Sequence, residues 1–299
     1  MSTQTTNGIR AAPILWFLLI VFAATWSVEY SLIRSGIRFD TEHSMYTPTL
    51  WLLATMWIPG LAALLVAAVA EGAAPRRLAA ALSLRPGQAG PYFLCALLVP
   101  LVFAVIYAVS WGAGFATPDW TLHALAQASD DPQSVNATSL FTVMLPASML
   151  LGPAIQFVFA LGEELGWRGF LLPRLLVLGR LRAYLILGLA WGLWHAPLIL
   201  VGFNYPGHPI AGIATMCVVT TAFGLFINEM FLHYRSVLLA AFIHAAVNAQ
   251  AQGIWMWLFQ DTDPLLGGGF GLTGAVVWLA VGAFCARTLR RSRAGQAPF

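Results

Sequence analysis

Lysine is absent from this 299-residue chain, and charged residues of every kind make up only 9% of it. A soluble domain carries about a quarter charged residues, so a chain with a water-facing surface throughout is excluded. Hydrophobic residues make up 59% and the mean hydropathy is +0.77, the composition of a polytopic membrane protein. Cysteine is scarce: Cys95, Cys217 and Cys285 stand singly inside apolar runs, with no CxxC spacing. Neither a disulfide framework nor a cysteine metal cluster is implied, and the three read as small packing residues. The net charge of +3 and pI near 9.0 come from arginines scattered in short groups, without a basic face or interleaved aromatics, so no nucleic-acid partner is expected. HExxH is also missing, and so is any visible internal repeat of the kind found in transporters built from inverted halves.

What is present is a series of apolar runs. Counting stretches of roughly 20 residues gives about eight candidate spans, at approximately 13–33, 49–70, 91–113, 139–161, 183–201, 210–232, 236–258 and 270–287. The fold class expected is an all-α bundle of transmembrane helices forming a single membrane domain over residues 1–299. With the N-terminus inside, thirteen of the fifteen arginines fall in cytoplasmic segments, leaving Arg34 and Arg38 outside, while Asp119, Asp130, Asp131, Asp261 and Asp263 fall in outer loops. This bias places both termini in the cytoplasm. The first span has an arginine before it and small residues in "FAATWS", but its apolar run continues too far for a cleaved signal, so a retained helix is expected.

Ionisable groups in hydrocarbon cost several kcal/mol unless paired or facing water, so the few inside the spans carry the functional reading. Span four runs into "GEELGWRG", with Glu163, Glu164 and Arg168; span five holds Trp191 and His195; span seven holds His244 and Asn248. Each pair Glu164/Arg168, Trp191/His195 and His244/Asn248 is four apart and shares a helix face. Pro197, two places after His195, removes an amide and is expected to kink the helix. Read singly, each is bland: an ion pair ending a span, a core histidine, an interhelical lock. Their joint occurrence on three spans at compatible depth points to a cavity open to the cytoplasm. Glu29 and the loop histidines His43, His123 and His208 have no partner readable in the sequence, and Glu229 is expected to pair with Arg235 or line the cavity wall.

These residues resemble the CPBP family of intramembrane endopeptidases, the type II CAAX prenyl proteases and their bacterial relatives, also called the abortive-infection or bacteriocin-processing family. Its first motif, two glutamates, three variable residues, arginine and glycine, is matched by Glu163, Glu164, Arg168 and Gly169. Its second, an aromatic residue, usually Phe, four positions before histidine, is matched by Trp191 and His195. Its third, histidine and asparagine four apart, is matched by His244 and Asn248. The order is the family's, and the resemblance covers about residues 139–258. "WIPGLAALL" in span two is similar to the family's proline-glycine helix.

The resemblance implies hydrolysis of a peptide bond in a membrane-anchored or lipidated, CAAX-like substrate surrounded by membrane lipid. For the residues themselves, two adjacent carboxylates resist joint ionisation, which suits Glu163 as general base, with Glu164 held by Arg168. His195 would position the water, and His244 and Asn248 would donate to the oxyanion. No serine or cysteine accompanies them, so direct attack by water is expected. Glu163, His195 and His244 also make a two-histidine, one-carboxylate set for zinc, and metallopeptidase and metal-free routes both stay open, with the lean toward no tightly bound zinc. Two other classes stay open as well, a bacteriocin-immunity or peptide-binding membrane protein and a proton-coupled transporter. The arginine-only, alanine-rich style suggests a bacterial inner membrane. The stretch after Arg168, "GFLLPRLLVLGRLR", is expected to lie at the headgroups as an amphipathic connector. Glu163 would then sit near the cytoplasmic end of its helix and His195 about 18 Å deep, a mismatch that a tilted helix or a funnel would have to absorb.

Overall fold

Apolar residues recurring at three- and four-residue spacing open the described chain as helix α1, Ala11–Arg34, whose buried stripe is Ile14, Phe17, Val21, Thr25 and Glu29. The structure, a computed structural model, describes residues 11–36, 54–69, 72, 74–127 and 129–294. Both termini, Arg10, Arg38, His43 and the 49–53 start of the second expected span lie outside the described residues. Next come α2, Ile58–Val69; α3, Pro75–Ala81; and α4, Gly90–Gly112. Short elements follow, strand β1, Ala116–Thr117, and helix α5, His123–Gln127. The long helical run α6 is Ala137–Leu178, followed by α7, Arg180–Trp194, and α8, Ala196–Ile199. The chain closes with α9, Pro209–Tyr234; α10, Val237–Ala251; α11, Ile254–Leu258; strand β2, Asp261–Thr262; and α12, Leu272–Ala294.

Among the described residues, six helices are long and apolar enough to cross a membrane: α1, α4, α6, α9, the α10–α11 run and α12. The all-α bundle is therefore as expected. The second and fifth expected spans correspond to shorter helices, α2 and the broken pair α7 and α8. The two strands pair antiparallel, Ala116 opposite Thr262, so the aspartate-bearing loops meet at one end of the bundle. At the other end Arg85 Nε donates to the Arg235 carbonyl at 2.6 Å and Ser236 Oγ to the Arg85 carbonyl at 2.5 Å.

The largest correction concerns α6. It does not end near residue 161; it continues through Glu164, widens into a π-helical stretch at Leu165–Leu171, and runs on to Leu178. Trp167, Phe170, Leu171 and Leu172 are fully buried, and Phe17 of α1 stacks on Phe170 at 4.9 Å and meets Trp167 edge-on at 5.8 Å. The expected headgroup connector is thus packed into the bundle at Phe170, Leu171, Leu172 and Leu175. Arg174, within that stretch, lays its guanidinium 3.6 Å over the Phe170 ring and donates to the Phe170 carbonyl at 2.7 Å. The turn comes at Gly179, whose φ of 86° suits a residue without Cβ. α7 then returns antiparallel to α6. Glu163 lies 16 residues before this turn and His195 16 residues after it, roughly 24 Å on each arm, which removes the depth mismatch.

Candidate active site

The glycines flanking the acids explain where the acids sit. A Cβ on Gly162 would lie 2.7 Å from the Met56 carbonyl oxygen and the Trp57 Cα, and one on Gly166 would lie 2.5 Å from the Pro59 Cβ. Gly60 returns the contact, its Cβ position falling 2.6 Å from the Gly162 carbonyl oxygen. The backbones of α2 and α6 touch here, so α6 cannot roll about its axis without a clash. Glu163 and Glu164, between the glycines, are thereby held toward α7 and α10. The proline-glycine pair in "WIPGLAALL" is the other half of this contact.

Glu164 and Arg168 are both fully buried, and Arg168 Nη1 donates to Glu164 Oε1 at 2.8 Å. The same oxygen is 2.9 Å from His244 Nδ1; because a carboxylate only accepts, the ring carries its proton on Nδ1. Arg168 is held twice more, by Nε donating to Asn228 Oδ1 at 3.1 Å and by stacking of its guanidinium 4.3 Å over the Trp191 ring. Asn228, on α9, belongs to none of the three motifs. Its position beside Glu229 in an apolar run marked it as polar, but its partner lies 60 residues away in sequence.

Glu163 is 2% exposed. Its Oε2 accepts from Trp191 Nε1 at 2.7 Å and from Trp167 Nε1 at 3.2 Å. Oε1 takes no protein hydrogen bond among the described residues and, unlike Glu164 Oε2, is not sealed from solvent. Two indoles therefore fix the carboxylate while leaving one oxygen open. Trp191 is the hub of the site: its ring meets His244 edge-on at 5.2 Å and lies 6.5 Å from His195.

His195 stands where α7 stops, with the short α8 and Pro197 beyond it, so the expected kink is a full break. Its Nδ1 is 2.8 Å from the Trp191 carbonyl. A carbonyl accepts only, so Nδ1 carries the proton and Nε2 presents a lone pair. Trp194 packs edge-on against the imidazole at 4.8 Å and donates its own Nε1–H to Thr25 of α1 at 2.9 Å. Asn248, one turn beyond His244, is half-buried and has no side-chain hydrogen bond among the described residues. The structure thus brings Glu163, Glu164, Arg168 and His244 into one connected network, with His195 beside it around Trp191.

Both histidines turn Nδ1 toward an oxygen, the orientation that metal-binding histidines usually show. Even so, among the described residues no three His, Cys, Asp or Glu side chains converge closely enough to hold a metal ion. Glu163, His195 and His244 as placed do not form a zinc cage. Glu229 departs from its expected role: rather than pairing with Arg235, it accepts from Tyr184 at 2.7 Å and from Arg180 at 2.9 Å, and pairs with Arg290.

A many-pass helical membrane protein with a buried carboxylate and histidine centre is the class that fold and site define. Residues 141–250, which contain all eight motif residues, match the family described as type II CAAX prenyl endopeptidase, Rce1-like. Over 147 residues, 47% of this chain, the sequence is 31% identical to the protein named CAAX prenyl protease 2 of Methanococcus maripaludis. The match takes in 52% of that relative, so the chain spans about half the length of the curated relative it matches. Residues 141–250 are thus similar to the Rce1-like type II CAAX prenyl endopeptidases.

Proposed function

We propose that this protein is an intramembrane endopeptidase that cleaves a membrane-anchored, lipidated substrate of the CAAX type, its site opening to the cytoplasmic side of a bacterial inner membrane. The observation that carries the reading is the Glu163 carboxylate, clamped through Oε2 by two indole N–H groups with Oε1 left open. An acid held this way is preorganised to take a proton from water. His195 Nε2, with its lone pair, accepts a hydrogen bond from the same water and orients it. The water oxygen attacks the scissile carbonyl carbon while its proton passes to Glu163. The oxyanion that forms accepts from Asn248 Nδ2–H and from His244 Nε2–H. Donation from both nitrogens of His244 uses the doubly protonated ring, whose counter-charge is Glu164 at 2.9 Å. As the C–N bond breaks, Glu163 returns its proton to the departing amine.

Purified protein in detergent should release a C-terminal fragment from a farnesylated CAAX peptide. Glu163→Gln, which keeps size and loses the proton acceptor, should abolish that release without altering thermal unfolding. Cleavage at the wild-type rate by this variant would remove Glu163 from the role of base, and binding without any product by the wild type would favour a peptide-binding protein. Prior treatment with a zinc chelator, with metal content measured alongside, should leave the rate unchanged.

A further inference from the structure

Glu29 is the last member of the buried stripe of α1, one turn beyond Thr25. Thr25 is tied by Trp194 Nε1 at 2.9 Å, and Trp26 Nε1 donates to the Trp194 carbonyl at 3.2 Å. These two bonds pin the outer half of α1 against the indole that packs on His195. Glu29 is 1% exposed, and its Oε2 has no hydrogen-bond partner among the described residues. It lies within electrostatic reach of Glu163. A third buried carboxyl thus lies close enough to Glu163 to feel its charge, outside all three motifs and with an acceptor oxygen unused.

Burying an acceptor without a donor is costly, and such an atom inside a membrane span marks a site that something else completes. A peptide bound beside Glu163 brings a row of backbone N–H donors. We propose that Glu29 binds substrate directly, accepting a hydrogen bond from a backbone N–H of the peptide beside the scissile bond, and so sets the register in which that bond meets Glu163. This rests on the endopeptidase reading above.

The test separates the two. Binding of a fluorescein-labelled, farnesylated CAAX peptide is measured in detergent on the Glu163→Gln protein, in which nothing is cleaved, and on Glu163→Gln carrying Glu29→Leu or Glu29→Gln in addition. Glu29→Leu should weaken binding about tenfold, while Glu29→Gln, whose amide oxygen still accepts, should stay within about threefold of the parent. Thermal unfolding of the Leu variant should rise, because the orphaned oxygen is gone; a purely structural carboxyl would lower it. A series of probes with successive backbone N–H groups replaced by ester oxygen should show one position that weakens binding to the parent and has no effect on the Leu variant. Equal binding by parent and Leu variant, or ester effects identical in both, would overturn the role of Glu29 while leaving the protease reading in place. No binding of the probe to any of the three proteins would take down the substrate reading and this inference with it.

Discussion

Trp191 occupies a position where the second motif of the resembled family usually carries phenylalanine, and the difference is one N–H. That group donates to Glu163 Oε2 at 2.7 Å, a bond no phenylalanine can make. Trp191→Phe keeps a ring for Arg168 and His244 to pack on but frees the Glu163 carboxylate, the proposed base, to swing. A hydrogen bond to a charged group is worth about 1.5–3 kcal/mol, so kcat should fall roughly tenfold to a hundredfold with the thermal midpoint little changed. Unaltered kcat would show that Trp167 alone positions the acid. Arg168 answers to a different logic, because it is fully buried and its guanidinium serves three partners at once, Glu164, Asn228 and the Trp191 ring. Arg168→Lys retains the charge but cannot reach all three, since an ammonium is a point charge without the planar fork. Breaking one partner of a buried pair costs about 3–5 kcal/mol, and Arg168→Lys should recover little of the stability that Arg168→Leu loses in detergent unfolding.

At the scale of helices, the contact between α2 and α6 sets the acids in place, and it can be tested without touching them. Gly166→Ala puts a methyl where the Pro59 Cβ already lies at 2.5 Å. Overpacking of this kind costs about 1–3 kcal/mol, so both the unfolding midpoint and the cleavage rate should drop together, unlike the Trp191 variant. Much of this element-level picture was readable beforehand. The motif pairs four apart did share faces, and the proline after His195 did mark a break. The end of α6 was not readable, because "GFLLPRLLVLGRLR" has the apolar and arginine pattern of a headgroup segment while its apolar side is spent on α1 and the core. Periodicity reports which face is apolar and not what covers it. Asn228 and Glu29 escaped for another reason: their neighbours come from helices distant in sequence, and no spacing rule connects them.

Across the whole molecule, Glu229 draws three helices together near the arginine-rich end. Tyr184 and Arg180 reach it from α7 and Arg290 from α12, while Asn228, its neighbour on α9, holds Arg168. The carboxylate is buried but both arginines are partly exposed, so solvent screens part of the attraction. Glu229→Gln should lower the thermal midpoint by about 2–4 °C and leave kcat as it was. A larger loss of activity than of stability would place Glu229 closer to the chemistry than its contacts do.

The hairpin formed by α6 and α7 works as a ruler. Glu163 and Trp191 are 28 residues apart, folded about the turn at Gly179, and each helical residue advances by about 1.5 Å and about 100°. Adding or deleting one residue on either arm between them would carry the acid past the indole and swing it to another face, while the apolar wall would still close. The length of chain between these two positions is therefore as binding a requirement on an active sequence as the identity of the residues at its ends.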